Sequence, residues 1–171
     1  KDAIDVLIGV LEDVKQEPMV RHEAAEALGA IGSTQSLEIL EKYAEDSIQE
    51  VRETCQLSLE RIKWLQSDEN KLLLSKNPYS SVDPAPPAQT SDVNELKSIL
   101  LDENASLFDR YRAMFSLRNL RSNESVMALC EALKYGSALF RHEIAFVLGQ
   151  LQDVISVPHL KESLRDADEN E

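Results

Sequence analysis

Apolar residues recur every three to four positions along most of the chain, with polar residues between them. This spacing is typical of α-helices that bury one face, whereas a half-buried strand would alternate at every second residue. Runs of β-branched residues are short, which also argues against strands. The pattern predicts helices at 3–14, 19–31, 37–43, 49–64, 94–101, 107–120, 126–133, 140–151 and 157–164, and therefore an all-α protein.

The periodicity is lost between Gln66 and Val93, where the chain is polar and contains Pro78, Pro84, Pro86 and Pro87. A connection of this length without structure of its own is uncommon inside one compact domain. We therefore predict an N-terminal helical lobe at 1–65, a partly extended, flexible linker at 66–93, and a C-terminal lobe at 94–171.

An internal repeat relates the helices to one another. The pattern V-R-x-x-A-x-x-A-L-x-x-I, or a variant of it, marks the second helix of each pair, with its arginine at Arg21, Arg52, Arg110 and Arg141. The two arginines of each lobe are 31 residues apart, and a repeated two-helix unit of this size is typical of an α-solenoid. Because the pattern resembles HEAT repeats, we predict an α-solenoid of HEAT-like helical hairpins in two pseudo-symmetric lobes. We expect the arginines to be structural, each pairing with an Asp or Glu of a neighbouring repeat.

One motif, R-H-E-x-x-x-x-L-G, occurs twice, at 21–29 and at 141–149. Its apolar residues share one stripe of the helix and are expected to face the core: Val20, Ala24, Ala27, Leu28 and Ile31 in the first copy, and Phe140, Ile144, Val147, Leu148 and Leu151 in the second. Successive side chains project about 100° apart on a helix. His22 and His142 are therefore expected to point away from the stripe, with Glu23 and Glu143 at its edge.

The glycines of the motif suggest that its polar face has a function. Gly29 and Gly149 lie two turns after the histidines on the same face, although glycine inside a helix costs about 0.5–1 kcal/mol relative to alanine. This placement predicts that another group approaches the face closely. The other two repeats carry Glu53-Thr54 and Tyr111-Arg112 at the His-Glu positions, so the fold alone does not require the pair.

Paired histidine and glutamate side chains suggest a metal site. Imidazole nitrogen and carboxylate oxygen together suit iron in a two-histidine, one-carboxylate site, and the residue types leave zinc and manganese open. The simpler interpretation is an ordinary polar helix face, on which the first-turn dipole favours Glu23 and Glu143; two matched copies with matched glycines favour the metal site. The sequence has no Ser-His-Asp arrangement, phosphate-binding glycine loop, H-E-x-x-H or cysteine-rich zinc pattern. We therefore predict no catalytic residue apart from these pairs.

Composition narrows the class of partner. The 171 residues are 43% hydrophobic and carry a net charge of −13, which disfavours binding to nucleic acid phosphates and favours cationic partners. No apolar run approaches the roughly 20 residues of a membrane-spanning helix. Cys55 and Cys130 are far apart and form no disulfide framework, so we expect buried free thiols in a reducing, cytoplasmic setting, with the nucleus as a second location.

The chain ends repeat the same register. Leu160, Leu164 and Asp166 match Leu7, Leu11 and Asp13 at an offset of 153 residues. By this symmetry a further R-H-E is expected just beyond Glu171, and another about eleven residues before Lys1. We therefore expect this chain to be part of a longer protein, and to hold iron weakly and be inactive by itself.

Three segments carry a resemblance to a known enzyme family: EPMVRHEAAEALGAIG at 17–32, SVDPAPPA at 81–88 and LFRHEIAFVLGQLQD at 139–153. Together they resemble the deoxyhypusine hydroxylases, which are HEAT-repeat di-iron monooxygenases. The resemblance implies four His-Glu motifs that hold two irons, of which this chain has the second and third. It also implies that O2 is activated to hydroxylate the deoxyhypusine side chain of the translation factor that carries hypusine.

The resemblance also implies a role for each motif residue. His22, Glu23 and His142 resemble iron ligands, whereas Glu143 resembles a carboxylate that faces the cationic substrate. The alternative hypothesis is a non-catalytic HEAT-repeat scaffold that binds a basic protein partner and needs no iron.

Overall fold

The computed structural model describes residues 2–71, without the side chain of Asp2, and residues 76–166. All regular secondary structure within these ranges is helical, which confirms the predicted all-α fold. The helices are α1 Asp2–Glu12, α2 Pro18–Ile31, α3 Leu37–Tyr43, α4 Gln49–Gln66, α5 Val93–Leu101, α6 Leu107–Leu120, α7 Asn123–Ala132, α8 Ala138–Leu151 and α9 Val157–Ser163, with short 3-10 turns at Thr34–Ser36, Asp68–Lys71 and Val154–Ser156. The predicted lobes also include residues 1, 72–75 and 167–171, which lie outside the described ranges.

Local sequence signals set the helix ends. Pro18 occupies the first turn of α2, where a missing N–H is tolerated, and Gly32 ends that helix in the left-handed conformation at φ 73°. Ser106 caps α6 by accepting a hydrogen bond from the Asp109 N–H at 3.1 Å, and Ser137 caps α8 by accepting one from the Phe140 N–H at 3.2 Å. Such side chains satisfy backbone donors that a helix start leaves unpaired.

The first compact unit contains α1 to α4 together with residues 82–85. In it, α2 packs between α1 and α4. Its core is formed by side chains without solvent exposure, among them Leu11, Leu28, Leu40, Val51, Cys55 and Ile62. Because α2, the second helix of its hairpin, has a neighbour on each of two sides, it buries a broader face than a helix that packs on one side only.

The second compact unit contains α5 to α9 together with residues 76–81 and 86–92. Helix α6 packs against α5, α7 and α8. Tyr111 is central to the core of this unit, since its ring meets Phe140 edge-on at 5.7 Å and Phe115 at 6.2 Å between centroids. In both units successive second helices contact one another, as the stacked hairpins of an α-solenoid do. The predicted solenoid of HEAT repeats is thereby confirmed.

Two of the four repeated arginines, Arg21 and Arg110, are buried and structural. Arg21 donates from Nε to the Leu11 carbonyl at 2.9 Å and pairs with Asp46 of the next repeat at 2.6 Å, which confirms the predicted ion pair at this position. Burial alone would raise the pKa of Asp46, but hydrogen bonds from Arg21 and the Ile48 N–H, and nearby positive charge, outweigh burial and lower it. Arg110 repeats the first contact by donating to the Leu100 carbonyl at 3.0 Å, and its guanidinium lies 4.0 Å from the Phe140 ring centre.

Residues 82–88 of the proline-rich segment, which was predicted to be a flexible linker, contact the helices of the two units. Within the first unit, Ala85 has no solvent exposure, and Arg61 donates to the Asp83 carbonyl at 2.7 Å and to the Gly29 carbonyl at 3.2 Å. Within the second unit, the Ala88 N–H donates to the Arg112 carbonyl at 3.2 Å. The role of 66–93 as a joint stays a prediction, but residues 82–88 are held by hydrogen bonds that the polar composition did not reveal.

Candidate functional site

His22 is buried, with 5% of its surface exposed, and this contradicts the expectation that it points away from the core. The buried face of α2 contains Arg21, His22, Ala24, Ala25, Leu28 and Gly29. Val20 and Ile31, which were expected in the apolar stripe, are 44% and 48% exposed. The stripe was misplaced because α4 covers the polar side of α2, a contact that the periodicity of one helix cannot reveal.

The His22 ring connects the interior of the first unit with its surface. Its Nδ1 lies 2.7 Å from Oγ1 of Thr54 on α4, and Thr54 is only 3% exposed. Its Nε2 lies 3.9 Å from Oε1 of Glu23, whose side chain is 71% exposed. An anchored imidazole and an accessible carboxylate are thus neighbours at one edge of the helix.

Glu26 adds a second carboxylate to this edge, one that the motif pattern did not indicate. It is half-buried and follows Glu23 by three residues and His22 by four, the two spacings at which side chains on a helix are neighbours. Burial raises the pKa of Glu26, and the charge of Glu23 raises it further. The spacing from Glu23 was the signal that could have identified it. A nearby cation would relieve the repulsion between the two carboxylates.

The second copy of the motif follows its prediction more closely. Phe140, Ile144, Val147, Leu148 and Leu151 are buried, as expected for the apolar stripe of α8. His142 is exposed and Glu143 is half-buried. The two copies therefore differ in surroundings rather than in helix register. His22 lies under a neighbouring helix, and His142 does not within the described part of the chain.

The two glycines differ in the same way. A Cβ at Gly29 would lie 2.7 Å from the Ser58 Cβ and 3.0 Å from its Cα, so α4 makes the close approach that was predicted there. The approaching group is Ser58 of α4, chiefly its side chain, and not a ligand. The Ser58 hydroxyl donates to the Ala25 carbonyl at 2.9 Å. At Gly149 no described atom lies within 4 Å of the Cβ position, so the close approach expected for this copy is absent from the described part of the chain.

The side-chain types at the His-Glu pairs fit an iron site. Within the described residues, however, neither pair has enough ligands for such a site. His22 and Glu23 come together in the first unit, and His142 and Glu143 are neighbours on α8 in the second. In the ranges 2–71 and 76–166, no three His, Cys, Asp or Glu side chains are grouped closely enough to hold a metal ion. Each pair alone would supply only part of a ligand set, so a metal bound there would need further donors.

The cysteines are confirmed as buried free thiols. Cys55 is completely buried, and Cys130 is 1% exposed. Burial raises the pKa of Cys55 to about 12 and that of Cys130 to about 11, which keeps both thiols protonated and unreactive near neutral pH. Among the described helices, none combines the length and the apolar character needed to cross a membrane.

Comparison with known proteins agrees with this fold and motif. A family model described as HEAT repeats matches residues 1–60, and one described as PBS lyase HEAT-like repeat matches residues 109–135 and 140–166. The deoxyhypusine hydroxylase of Drosophila melanogaster is 61% identical over 99% of this chain and 56% of its own length. The human deoxyhypusine hydroxylase is 55% identical over 98% of this chain and 55% of its own length.

A solved structure shows the same relationship. The structure of human deoxyhypusine hydroxylase in complex with glycerol superposes with a TM-score of 0.91 and 54% identity, covering 99% of this chain and 58% of the other. The chain spans about half the length of the curated relatives that it matches. The resemblance predicted from the R-H-E helices and the proline-rich segment is therefore confirmed across nearly the whole chain.

Proposed function

We propose that this chain, a HEAT-repeat solenoid similar to the deoxyhypusine hydroxylases over nearly all of its length, works in an iron-dependent hydroxylase of that type. Its substrate would be the deoxyhypusine side chain of the translation factor that carries hypusine, with O2 as co-substrate, in the cytoplasm or the nucleus. The observation that carries the proposal is the 61% identity across 99% of the chain, which includes both R-H-E helices. Because the chain spans about half the length of its relatives, the activity is proposed for a protein that spans their full length.

In this proposal His22 and Glu23 of the first unit are iron ligands, and so is His142 of the second unit. Each set is completed by donors from outside the described residues. Iron in such a site would supply the activation of O2. The contribution of the described residues is to orient the donors: the contact between His22 Nδ1 and Thr54 Oγ1 at 2.7 Å turns Nε2 toward Glu23. A ligand held in place by its neighbours loses less freedom when the metal binds.

Glu143 would bind the cationic substrate. Deoxyhypusine has protonated amines on a long side chain, and a half-buried carboxylate on α8 is a suitable acceptor for them. The net charge of −13 would favour the approach of a basic protein. Glu23 and Glu26 increase the local negative charge around the first pair.

The proposal is tested with a protein that spans the full length of the relatives. His22→Ala and His142→Ala are each expected to remove iron and hydroxylation, whereas His159→Ala, which changes a histidine outside the motif, should retain both. The measurements are the ratio of iron to protein and the conversion of deoxyhypusine. Normal iron content in both motif variants would contradict the assignment.

The two glutamates separate metal binding from substrate binding. Glu23→Ala is expected to lower iron content, whereas Glu143→Ala should retain iron and weaken binding of the substrate protein. Equal iron loss in the two variants would remove this distinction. The 171-residue chain measured beside the longer protein should hold iron weakly and show no hydroxylation.

The second candidate is a non-catalytic scaffold that binds a basic protein. It is favoured by one observation, that the described residues contain no group of three metal-binding side chains. A scaffold would bind its partner equally well in the presence of a strong iron chelator. Hydroxylation that disappears with chelation and returns with iron(II) would exclude it.

A further inference from the structure

Thr54 contacts His22 from the neighbouring helix α4. The two residues are 3% and 5% exposed, and Thr54 Oγ1 lies 2.7 Å from His22 Nδ1. The internal repeat aligns Thr54 with Glu23, because Arg52-Glu53-Thr54 corresponds to Arg21-His22-Glu23. Helix α4 therefore presents a hydroxyl where α2 presents a carboxylate, and this hydroxyl faces the imidazole of the preceding repeat.

The contact fixes which ring nitrogen lies near Glu23. With Nδ1 held against α4, Nε2 is the nitrogen that lies 3.9 Å from the Glu23 carboxylate. The Glu23 side chain is 71% exposed, so this edge of the ring lies next to the accessible part of the motif. Nitrogen and oxygen donors are thereby presented side by side.

The separation of the two helices is itself set by small side chains. Ser58, one turn after Thr54, donates to the Ala25 carbonyl at 2.9 Å. Gly29 leaves room for Ser58, since a Cβ there would lie 3.0 Å from the Ser58 Cα. Thr54 reaches the imidazole because α2 and α4 are held this close.

A hydroxyl is suited to controlling the tautomer of this ring. A neutral imidazole has one N–H and one lone pair, and a metal needs the lone pair. A threonine hydroxyl has one proton and two lone pairs, so Oγ1 can accept a hydrogen bond from a ring N–H. We propose that Thr54 is a positioning residue that accepts a hydrogen bond from His22 Nδ1–H and keeps the lone pair on Nε2, facing Glu23. This role rests on the proposed iron function, although the tautomer itself is a property of the metal-free chain.

The first test is nitrogen-15 NMR of the histidine rings in the metal-free chain. At a pH of about 8 a histidine with an ordinary pKa near 6.5 is neutral, so the ring shifts report the tautomer. The wild type and Thr54→Ser, which keeps the hydroxyl, are expected to have the proton of His22 on Nδ1. Thr54→Val, which keeps the shape without the hydroxyl, should move His22 toward the Nε2–H tautomer.

Two NMR results would overturn the proposal: a wild-type His22 with its proton on Nε2, or a tautomer that does not change in Thr54→Val. Thr54→Ala gives the same test if valine does not fit between the helices. A change in thermal stability alone would not move the tautomer, so the measurement separates positioning from a general structural role.

The second test is titration with iron(II) in a protein that spans the full length of the relatives. Loss of an outer partner of a metal-binding histidine typically weakens metal affinity about 10–100-fold, and we expect this loss in Thr54→Val but not in Thr54→Ser. Equal affinity in the wild type and in Thr54→Val would contradict the positioning role. Absence of iron binding in every variant, together with the expected tautomers, would contradict the proposed function and leave the role of Thr54 in the metal-free chain supported.

Discussion

At the scale of single residues, the two motif histidines differ in burial although both stand in the same R-H-E motif. The motif gives both copies the same helix register, and it predicted the buried stripe of α8 correctly. His22 is nevertheless 5% exposed while His142 is exposed. His22 lies under α4, from which Thr54, 32 residues along the chain, contacts its ring. No local pattern around His22 contains this contact.

We expect His22→Ala to destabilise the chain and His142→Ala to leave its stability nearly unchanged. The first substitution removes a buried ring and leaves the Thr54 hydroxyl without the imidazole that it contacts, a loss of about 1–3 kcal/mol. The second removes an exposed side chain, for which about 0.5 kcal/mol or less is expected. Urea unfolding of both variants measures the difference, and equal midpoints would contradict it.

The buried thiols predict a loss of stability at alkaline pH. Burial raises the pKa of Cys55 to about 12 and that of Cys130 to about 11, whereas an unfolded thiol ionises near about 8.5. As the pH rises above that value, the unfolded state loses protons while the folded state keeps them, so unfolding becomes easier by up to about 1.4 kcal/mol per pH unit for each thiol.

The measurement is the urea midpoint between about pH 7 and pH 10, in the range where thiol ionisation begins. The control is the double variant Cys55→Ala, Cys130→Ala, in which lysines and tyrosines still titrate. A smaller slope in the double variant supports the assignment, and parallel curves would show that the thiols do not contribute.

At the scale of secondary structure elements, the sequence predicted the helices better than their contacts. Apolar spacing and end signals such as Pro18 and Gly32 placed the described helix ends within a few residues, because these signals act within one turn. The hydrogen bonds that fix residues 82–88 were not predicted, because their partners Arg61 and Arg112 are distant in sequence. Polar, proline-rich composition does not distinguish a flexible linker from one bound by half-buried arginines.

The two motif glycines provide a matched test of helix packing. Gly29→Ala places a methyl group 2.7 Å from the Ser58 Cβ, and such overpacking typically destabilises by about 1–3 kcal/mol. Gly149→Ala meets no described atom within 4 Å, so helix propensity should stabilise the chain by about 0.5–1 kcal/mol. Thermal unfolding of both variants should show opposite shifts; two shifts of the same sign would contradict this account of α2 and α4.

The proline-rich segment predicts a local effect of Arg61. Arg61→Met keeps the apolar stem but removes the donors to the Asp83 and Gly29 carbonyls. Amide hydrogen exchange at Asp83 and Ala85 is therefore expected to become faster. Lys63→Met is the control, because the Lys63 side chain on the same helix is 55% exposed and pairs with Glu60 at the surface. Unchanged exchange in Arg61→Met would favour a segment held by packing alone.

At the scale of the whole molecule, charge is the dominant property that sequence alone supplies. The chain carries 31 acidic and 18 basic side chains, for a net charge of −13. Net charge of this size favours cationic partners, and the excess acidic side chains also repel one another within the folded state. This inference depends on the sum of the charges rather than on their positions, so the amino-acid sequence is sufficient for it.

Added salt should therefore stabilise the chain. Raising the ionic strength from about 0.01 M to 0.15 M shortens the screening length from about 30 Å to about 8 Å, which weakens the repulsion among the acidic side chains. The melting temperature is expected to rise equally in NaCl and KCl. A rise with one salt only would indicate binding of a specific ion, and a fall would contradict net repulsion.

The regular spacing between contacting second helices has a consequence for the speed of folding. The contacts His22–Thr54, Arg61–Gly29 and Arg118–Gln150 each join residues 32 apart. Because the separation is the same for each pair, the entropic cost of closing the loop between two second helices is similar wherever along the chain folding begins. Proteins rich in contacts that are near in sequence fold within microseconds to milliseconds. Each hairpin pair can therefore act as a nucleus to which the next hairpin adds. Refolding of this chain should be fast, and substitutions at the α2–α4 seam should slow folding only when that pair forms first.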